Sequence, residues 1–394
     1  MRKREKMLVI CGLGGSYLLF EYLVHKLRTI QIKKQKRVVS KSPSLGSLEA
    51  LKDDIRRAEG VEKQDMLVTL KECFNIDDNS LETLIKVVHN NHPYKIEQNI
   101  DDYLHFPLPF SFQVMMSLTN WLTFKVLTNI CDIEYYEGKC IIYKLVPKET
   151  NNSSKVIVCF PGLSGSIVQL LNAINIMFKK GYTVILPLYG PGDVSLNHSL
   201  CHNQYDYCYE IIEYLKKREL FDIHIFAWSL GGIKYLCFED LILNKSNKEL
   251  NIRAVYLFEP LLTSRSVIDM HFTTKRSIFR TINVVNSRTI HLSYKYRLLN
   301  CIMGYFIHTI IGFGCANSTD YLFYTEHKKK LAKYPYKRYL FVSHSDFLMN
   351  DTADKEVIEN NFDPKCVFYR EGYHGGWLKS SKLESIFGNI LNQY

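Results

Sequence analysis

Residues 222–233 read DIHIFAWSLGGI, and within them Ser229 stands where an apolar run meets a cluster of small residues. The core, Ala227-Trp228-Ser229-Leu230-Gly231, has small side chains two positions before and two after the serine. That spacing suits a strand-to-helix turn so tight that larger side chains collide, which leaves the hydroxyl displayed at its tip. Ile223, Ile225 and Phe226 predict a short strand leading into the turn, and Gly232–Phe238 predicts a helix leading out of it. A serine hydroxyl is a poor nucleophile unless a base removes its proton, and the base needs an acid to orient it.

Two later segments carry suitable groups. Asp346 lies three to four residues beyond the strand-like run 339–343, and His374 lies in the Gly-flanked segment Glu371-Gly372-Tyr373-His374-Gly375-Gly376 beyond the run 366–370. Parallel sheets present reactive side chains at the carboxyl ends of their strands, and all three residues fall at such ends. Asp351 and Glu259 are alternative acids, and His344 is a competing base that precedes the acid. The negative charge that develops on a carbonyl oxygen under attack needs two N–H donors. Leu230, directly after the serine at a helix start, is one candidate; Leu163, after the glycine of Phe160-Pro161-Gly162-Leu163-Ser164-Gly165-Ser166, is the other.

The elements that must position these groups alternate. Residues 132–137 and 140–146 flank Gly138-Lys139 and read as a hairpin. Strands are then expected at 156–160, 182–188, 223–227, 252–258, 339–343 and 366–370. Helices are expected at 167–180, 203–218, after the serine, and from about 378 to 392. Such alternation implies an α/β fold, a mainly parallel sheet with helices on both faces. The alternation breaks at about 261–337, where a cap would be inserted. Upstream, residues 41–131 read as a helical region. It contains a Ser/Lys/Glu-rich linker at 40–60, a helix within 64–90 that Asn79 and Glu82 could cap, and an apolar stretch at 106–130 that could be a core helix or a second membrane-contacting surface, of which the core is favoured. The α/β domain is thus expected over 132–394.

Composition narrows the partners. The chain has 394 residues, of which 46% are hydrophobic, and a formal net charge of +10. Residues 1–41 hold eleven Lys/Arg against Glu5 and Glu21, and 261–339 hold thirteen against Asp269, Asp320 and Glu326. Two basic segments on an acidic body point to an anionic surface. No zinc finger, RRM signature or helix-turn-helix pattern accompanies them, so a membrane is expected and nucleic acid is not. The eleven cysteines are scattered and none forms CxxC, which reads as reduced thiols in a cytosol-like compartment. Residues 7–24 are apolar except for Glu21 and have basic flanks, the heavier one following, so 1–40 is expected to anchor the chain with its body in the cytoplasm.

Taken together, these segments resemble the α/β-hydrolase superfamily. FPGLSGS is similar to its oxyanion loop, with Pro161 where His is common, and YGPGDVS (189–195) is similar to its RGxGxS loop. AWSLGG, SDFLMN and GYHGGW resemble its nucleophile, acid and base segments, over about 135–394. The N-terminal apolar segment and the Pro-Gly-Leu-x-Gly-Ser loop are further similar to the membrane-anchored YheT-like branch. The resemblance implies a serine hydrolase acting on an acyl ester, with lipid as the expected substrate and no metal or organic cofactor. The alternative from another class is a catalytically silent domain of this fold that binds a lipid or a protein at a membrane. His202…Asp206 matches an HxxxD acyl-transfer string, but in a predicted helix away from the serine it reads as chance.

Overall fold

In the computed structural model, residues 15–17, 19–24, 26–27, 40–41, 96–97, 110–149, 155–163, 165–190, 193, 196, 204–244, 249–262, 336–344, 346, 358–371 and 374–394 are described. The predicted helix within 64–90, residues 7–14 of the apolar stretch, and 263–335 of the expected cap lie outside them.

The described residues form an eight-stranded sheet: β1 (Cys131–Glu137), β2 (Ile141–Pro147), β3 (Val156–Phe160), β4 (Thr183–Leu188), β5 (Asp222–Trp228), β6 (Asn251–Phe258), β7 (Lys337–Ser343) and β8 (Val367–Arg370). Its spatial order is β1-β2-β4-β3-β5-β6-β7-β8. Strand β2 runs antiparallel to both neighbours, and every other pairing from β4 through β8 is parallel. This is the α/β-hydrolase fold that the sequence resemblance implies. Antiparallel β1 and β2 need only a three-residue turn at 138–140, whereas each parallel pair needs a longer crossover. The central strands read as unbroken apolar runs because both their faces are covered; every residue of β3 and β4 is buried.

Helices α3 (Gln204–Lys217) and α4 (Gly231–Asn244) cover one face, packing Tyr207, Ile211, Leu215, Phe238 and Leu241 onto it. Helices α2 (Leu171–Lys179) and α5 (Leu383–Leu391) cover the other, with Met177, Phe387 and Leu391. The predicted helix over 167–180 begins as a 3-10 turn at Ile167–Leu170, and that over 378–392 as a 3-10 turn at Trp377–Lys379. The six described cysteines, Cys131, Cys140, Cys159, Cys208, Cys237 and Cys366, are buried and reduced. Burial pushes the Cys131 thiol up to about 11, which keeps it un-ionised and inert.

Helix α1 (Phe110–Leu127) departs from expectation. The sequence favours a core helix here, yet the side chains it buries are Gln113, Asn120, Thr123 and Leu127, while Val114, Met115, Leu118, Trp121, Leu122 and Val126 are exposed. The physical reason is polar tethering. The Asn120 amide donates to the Gly165 carbonyl at 3.4 Å and its oxygen accepts from the Ile167 N–H at 3.2 Å. The Ser117 hydroxyl accepts from the Leu196 N–H at 2.9 Å. These bonds hold the polar side inward against two loops of the sheet's carboxyl edge, and the apolar stripe is left outward.

The first turn of α1 has a distant cap. The Glu21 carboxylate accepts the Phe110 and Ser111 N–H groups at 2.7 and 3.0 Å, satisfying donors that a helix start leaves unpaired. Burial opposes ionisation of Glu21, but the bonds from Ser111, Phe110 and Tyr17 outweigh it and hold its pKa below the ordinary value. Residues 15–17, 19–24 and 26–27 are helical. Among the described residues no helix is long and apolar enough to cross a membrane.

Candidate active site

The site is assembled from the carboxyl ends of adjacent strands. Strand β5 ends at Trp228, and Ser229 follows in a left-handed conformation, φ 54°. Tyr189 (φ 52°) and Glu259 (φ 43°), directly after β4 and β6, share it. None of these is glycine, so each turn carries strain of about 1–3 kcal/mol that its surroundings must hold. For Ser229 the surroundings are hydrogen bonds: its N–H donates to Phe258 O at 3.0 Å, and its carbonyl accepts from Gly232 and Leu261 at 2.9 and 3.0 Å.

The small residues beside the serine are required by contact. A Cβ on Gly231 would fall 2.2 Å from the Phe160 carbonyl oxygen, so the start of α4 can approach β3 only as glycine. A Cβ on Gly162 would fall 2.8 Å from the Trp228 ring. Ala227, where glycine is more usual, is fully buried in β5, and its methyl is accommodated.

His374 meets the serine from the opposite side. Its Nε2 lies 2.8 Å from Ser229 Oγ and its Nδ1 lies 2.7 Å from Asp346 Oδ2. A carboxylate only accepts, so Nδ1–H donates to Asp346, which leaves Nε2 to accept the Ser229 hydroxyl proton. The Trp228 ring stacks against the imidazole, with centroids 5.8 Å apart. Burial disfavours the charged imidazole, but the Asp346 carboxylate and its hydrogen bond outweigh this, and the His374 pKa rises above its ordinary 6.5. The three residues singled out from the sequence, Ser229, Asp346 and His374, are therefore brought into one hydrogen-bonded chain.

Glu259, the alternative acid, sits behind that chain. It is completely buried, and its carboxylate accepts from the Ser343 hydroxyl and the Gly375 N–H, both at 2.5 Å, and from the Trp377 N–H at 3.3 Å. It thus fixes the backbone that carries His374 without bonding the imidazole. Burial pushes its pKa up, opposed by the nearby His374. This anchoring role went unread in the sequence; the available signal was an acidic residue at a strand's carboxyl end followed by Pro260. Asp351 lies outside the described residues. His344 stacks on Tyr369 with centroids 5.0 Å apart and is not in the chain of bonds.

Leu230 follows Ser229 at the start of α4, and Leu163 follows Gly162 in the loop after β3. Among the described residues neither backbone N–H has an acceptor. Of the HxxxD string, Asp206 is exposed on α3 and His202 lies outside the described residues.

No family model and no curated protein matches the chain. Its fold is similar to many solved structures. One is an esterase from Exiguobacterium antarcticum, at 15% identity and a TM-score of 0.44 over 66% of this chain and 98% of the other. A second is MGS-M2, an alpha/beta hydrolase enzyme from a Medee basin deep-sea metagenome library, at 13% and 0.46 over 66% and 98%. A third is a Pyrococcus furiosus esterase, at 14% and 0.44 over 68% and 93%.

Proposed function

We propose that this chain is a serine hydrolase that cleaves an acyl ester, with a lipid as substrate. The observation that carries the reading is the bonded chain Ser229–His374–Asp346, with the serine in a left-handed turn between strand and helix. A structural serine has no need of such a turn, and a structural histidine has no need of a buried carboxylate behind it.

In this reading His374 Nε2 takes the Ser229 proton as Oγ attacks the ester carbonyl. The Leu163 and Leu230 N–H groups face the oxyanion that forms, and Leu230 adds the favourable field of the α4 N-terminus. The imidazolium then hands its proton to the departing alcohol, and an acyl group remains on Ser229. Water activated by the same imidazole clears it. Asp346 keeps Nδ1 protonated and stabilises the cation that exists between the two transfers.

The test is labelling with a fluorophosphonate probe alongside hydrolysis of a panel of esters. Ser229→Ala should lose both, with turnover falling on the order of a million-fold in a protein that remains folded. Labelling of that variant at the wild-type level would remove Ser229 from the mechanism, and a wild-type chain without label or turnover would leave a binding module. Because His374 accepts a proton only when neutral, activity should rise with pH, with a midpoint above 6.5. Asp346→Asn removes the charge that raises the pKa and should move the midpoint down.

The same reading places the protein on a membrane, with residues 7–24 as anchor and the catalytic body in the cytoplasm. Its support is the apolar run between basic flanks. Release from membranes by detergent, and not by carbonate or high salt, is the expected outcome; recovery in a low-salt soluble fraction would overturn the anchor.

A further inference from the structure

We infer that the outer face of α1 is a docking surface for an anionic lipid bilayer, with the helix lying in the plane of the interface. The inference rests on the reading of the substrate as a lipid. A surface helix of a water-soluble domain turns its apolar stripe to the core. Here Val114, Met115, Leu118, Trp121, Leu122 and Val126 form one continuous stripe at helical spacing, and that stripe is exposed.

The chemistry of the stripe selects a bilayer as its occupant. Helix α1 carries no acidic residue, and its single cation, Lys125, holds its ammonium over the Trp121 ring at 4.9 Å. The helical residues beside its first turn add exposed Leu19, Leu23 and Leu27, with Phe20 edge-on to Phe110 and the Lys26 ammonium over the Tyr22 ring at 5.0 Å. Aliphatic stems bordered by aromatic–lysine pairs suit the boundary between acyl chains and phosphate headgroups. The eleven Lys/Arg of residues 1–41, against two acidic residues, complement an anionic surface.

The polar groups of the helix are handled as a low-dielectric medium demands. Thr119 donates its hydroxyl to the Met115 carbonyl at 2.7 Å, and Thr123 donates to Thr119 at 2.8 Å, so neither needs water. Gln113 and Asn120 face the protein, which rules against a spanning orientation and leaves the helix half-immersed. Asn120 and Ser117 fasten the helix to the loops holding Leu163 and Leu196, so a bilayer against α1 lies beside the mouth of the site.

The chain supplies its own reporter. It has three tryptophans, and Trp228 and Trp377 are buried while Trp121 is 53% exposed. The full-length chain is reconstituted into vesicles of phosphatidylcholine and phosphatidylglycerol whose acyl chains are brominated near the headgroup. The expected result is quenching of the emission that Trp121→Phe removes. Leu118→Glu with Leu122→Glu should abolish that quenching. It should also lower hydrolysis of a vesicle-embedded ester by about tenfold or more, while a short soluble ester is turned over at the wild-type rate. Emission beyond the quencher's reach in a vesicle-bound chain would overturn the inference. So would a lipid-free dimer that the double variant dissolves, since the face would then belong to a second copy. Fluorophosphonate labelling of the same samples separates the two readings. Label without quenching keeps the hydrolase and removes the docking face; quenching without label does the reverse.

Discussion

Helices α1 and α5 are built from similar proportions of apolar residues and are mounted in opposite senses. Helix α5 drives Leu383, Phe387, Ile390 and Leu391 into the sheet, where Phe387 meets Phe226, Tyr256, Phe258 and Phe341 edge to face or tilted. Helix α1 turns Gln113, Asn120 and Thr123, with Leu127 at its end, to the protein and most of its aliphatic side chains away from it. The first is held by removal of apolar surface from water, the second largely by a few directed hydrogen bonds and a cap from Glu21, with apolar purchase on the core from Leu127 and Phe124. An apolar stripe therefore fixes where a helix's greasy side is, while the partners of its polar side decide what that stripe meets.

Substitutions test this difference in graded steps. The largest effect should follow Phe387→Ala, which empties a ring-sized space in the sheet-facing core and should cost about 3–5 kcal/mol, read as a fall in denaturation midpoint. A loss below 1 kcal/mol would mean that α5 is not held as described. An intermediate effect is expected of Asn120→Ala. It leaves the Gly165 carbonyl and the Ile167 N–H without their partner, at about 1–3 kcal/mol, and loosens the loop that carries Leu163. Its kcat should fall more than its KM rises, whereas a helix merely resting on the loop would leave kcat unchanged. The smallest should be Leu122→Ala, an exposed deletion in α1, within about 0.5 kcal/mol of wild type in detergent-free buffer. A cost comparable to that of Phe387→Ala would show the stripe of α1 to be covered in solution.

The same contrast explains what could be read in advance. The strands were legible to within one or two residues because buried parallel strands are written as local apolar runs, and the order Ser229, Asp346, His374 followed from where those runs stop. The orientation of α1 was not legible. Residues 106–130 announce an apolar helix, but its tethers are contacts of Asn120 with Gly165 and Ile167, some 45 residues away, and its cap is Glu21, 89 residues from Phe110. Local pattern carries no trace of either. The sequence offers Glu259 as an alternative acid, but its grip on Gly375 and Trp377 depends on a chain separation of 116 to 118 residues.

The left-handed turn at Ser229 carries one more implication, for how such a sequence drifts over generations. Glycine adopts that conformation freely, so Ser229→Gly would release about 1–3 kcal/mol of strain against about 0.5–1 kcal/mol of extra freedom in the unfolded chain. Under the proposed function, a lineage relieved of ester cleavage would find that exchange open to it at a single codon, trading the Ser229–His374 bond for an unstrained turn.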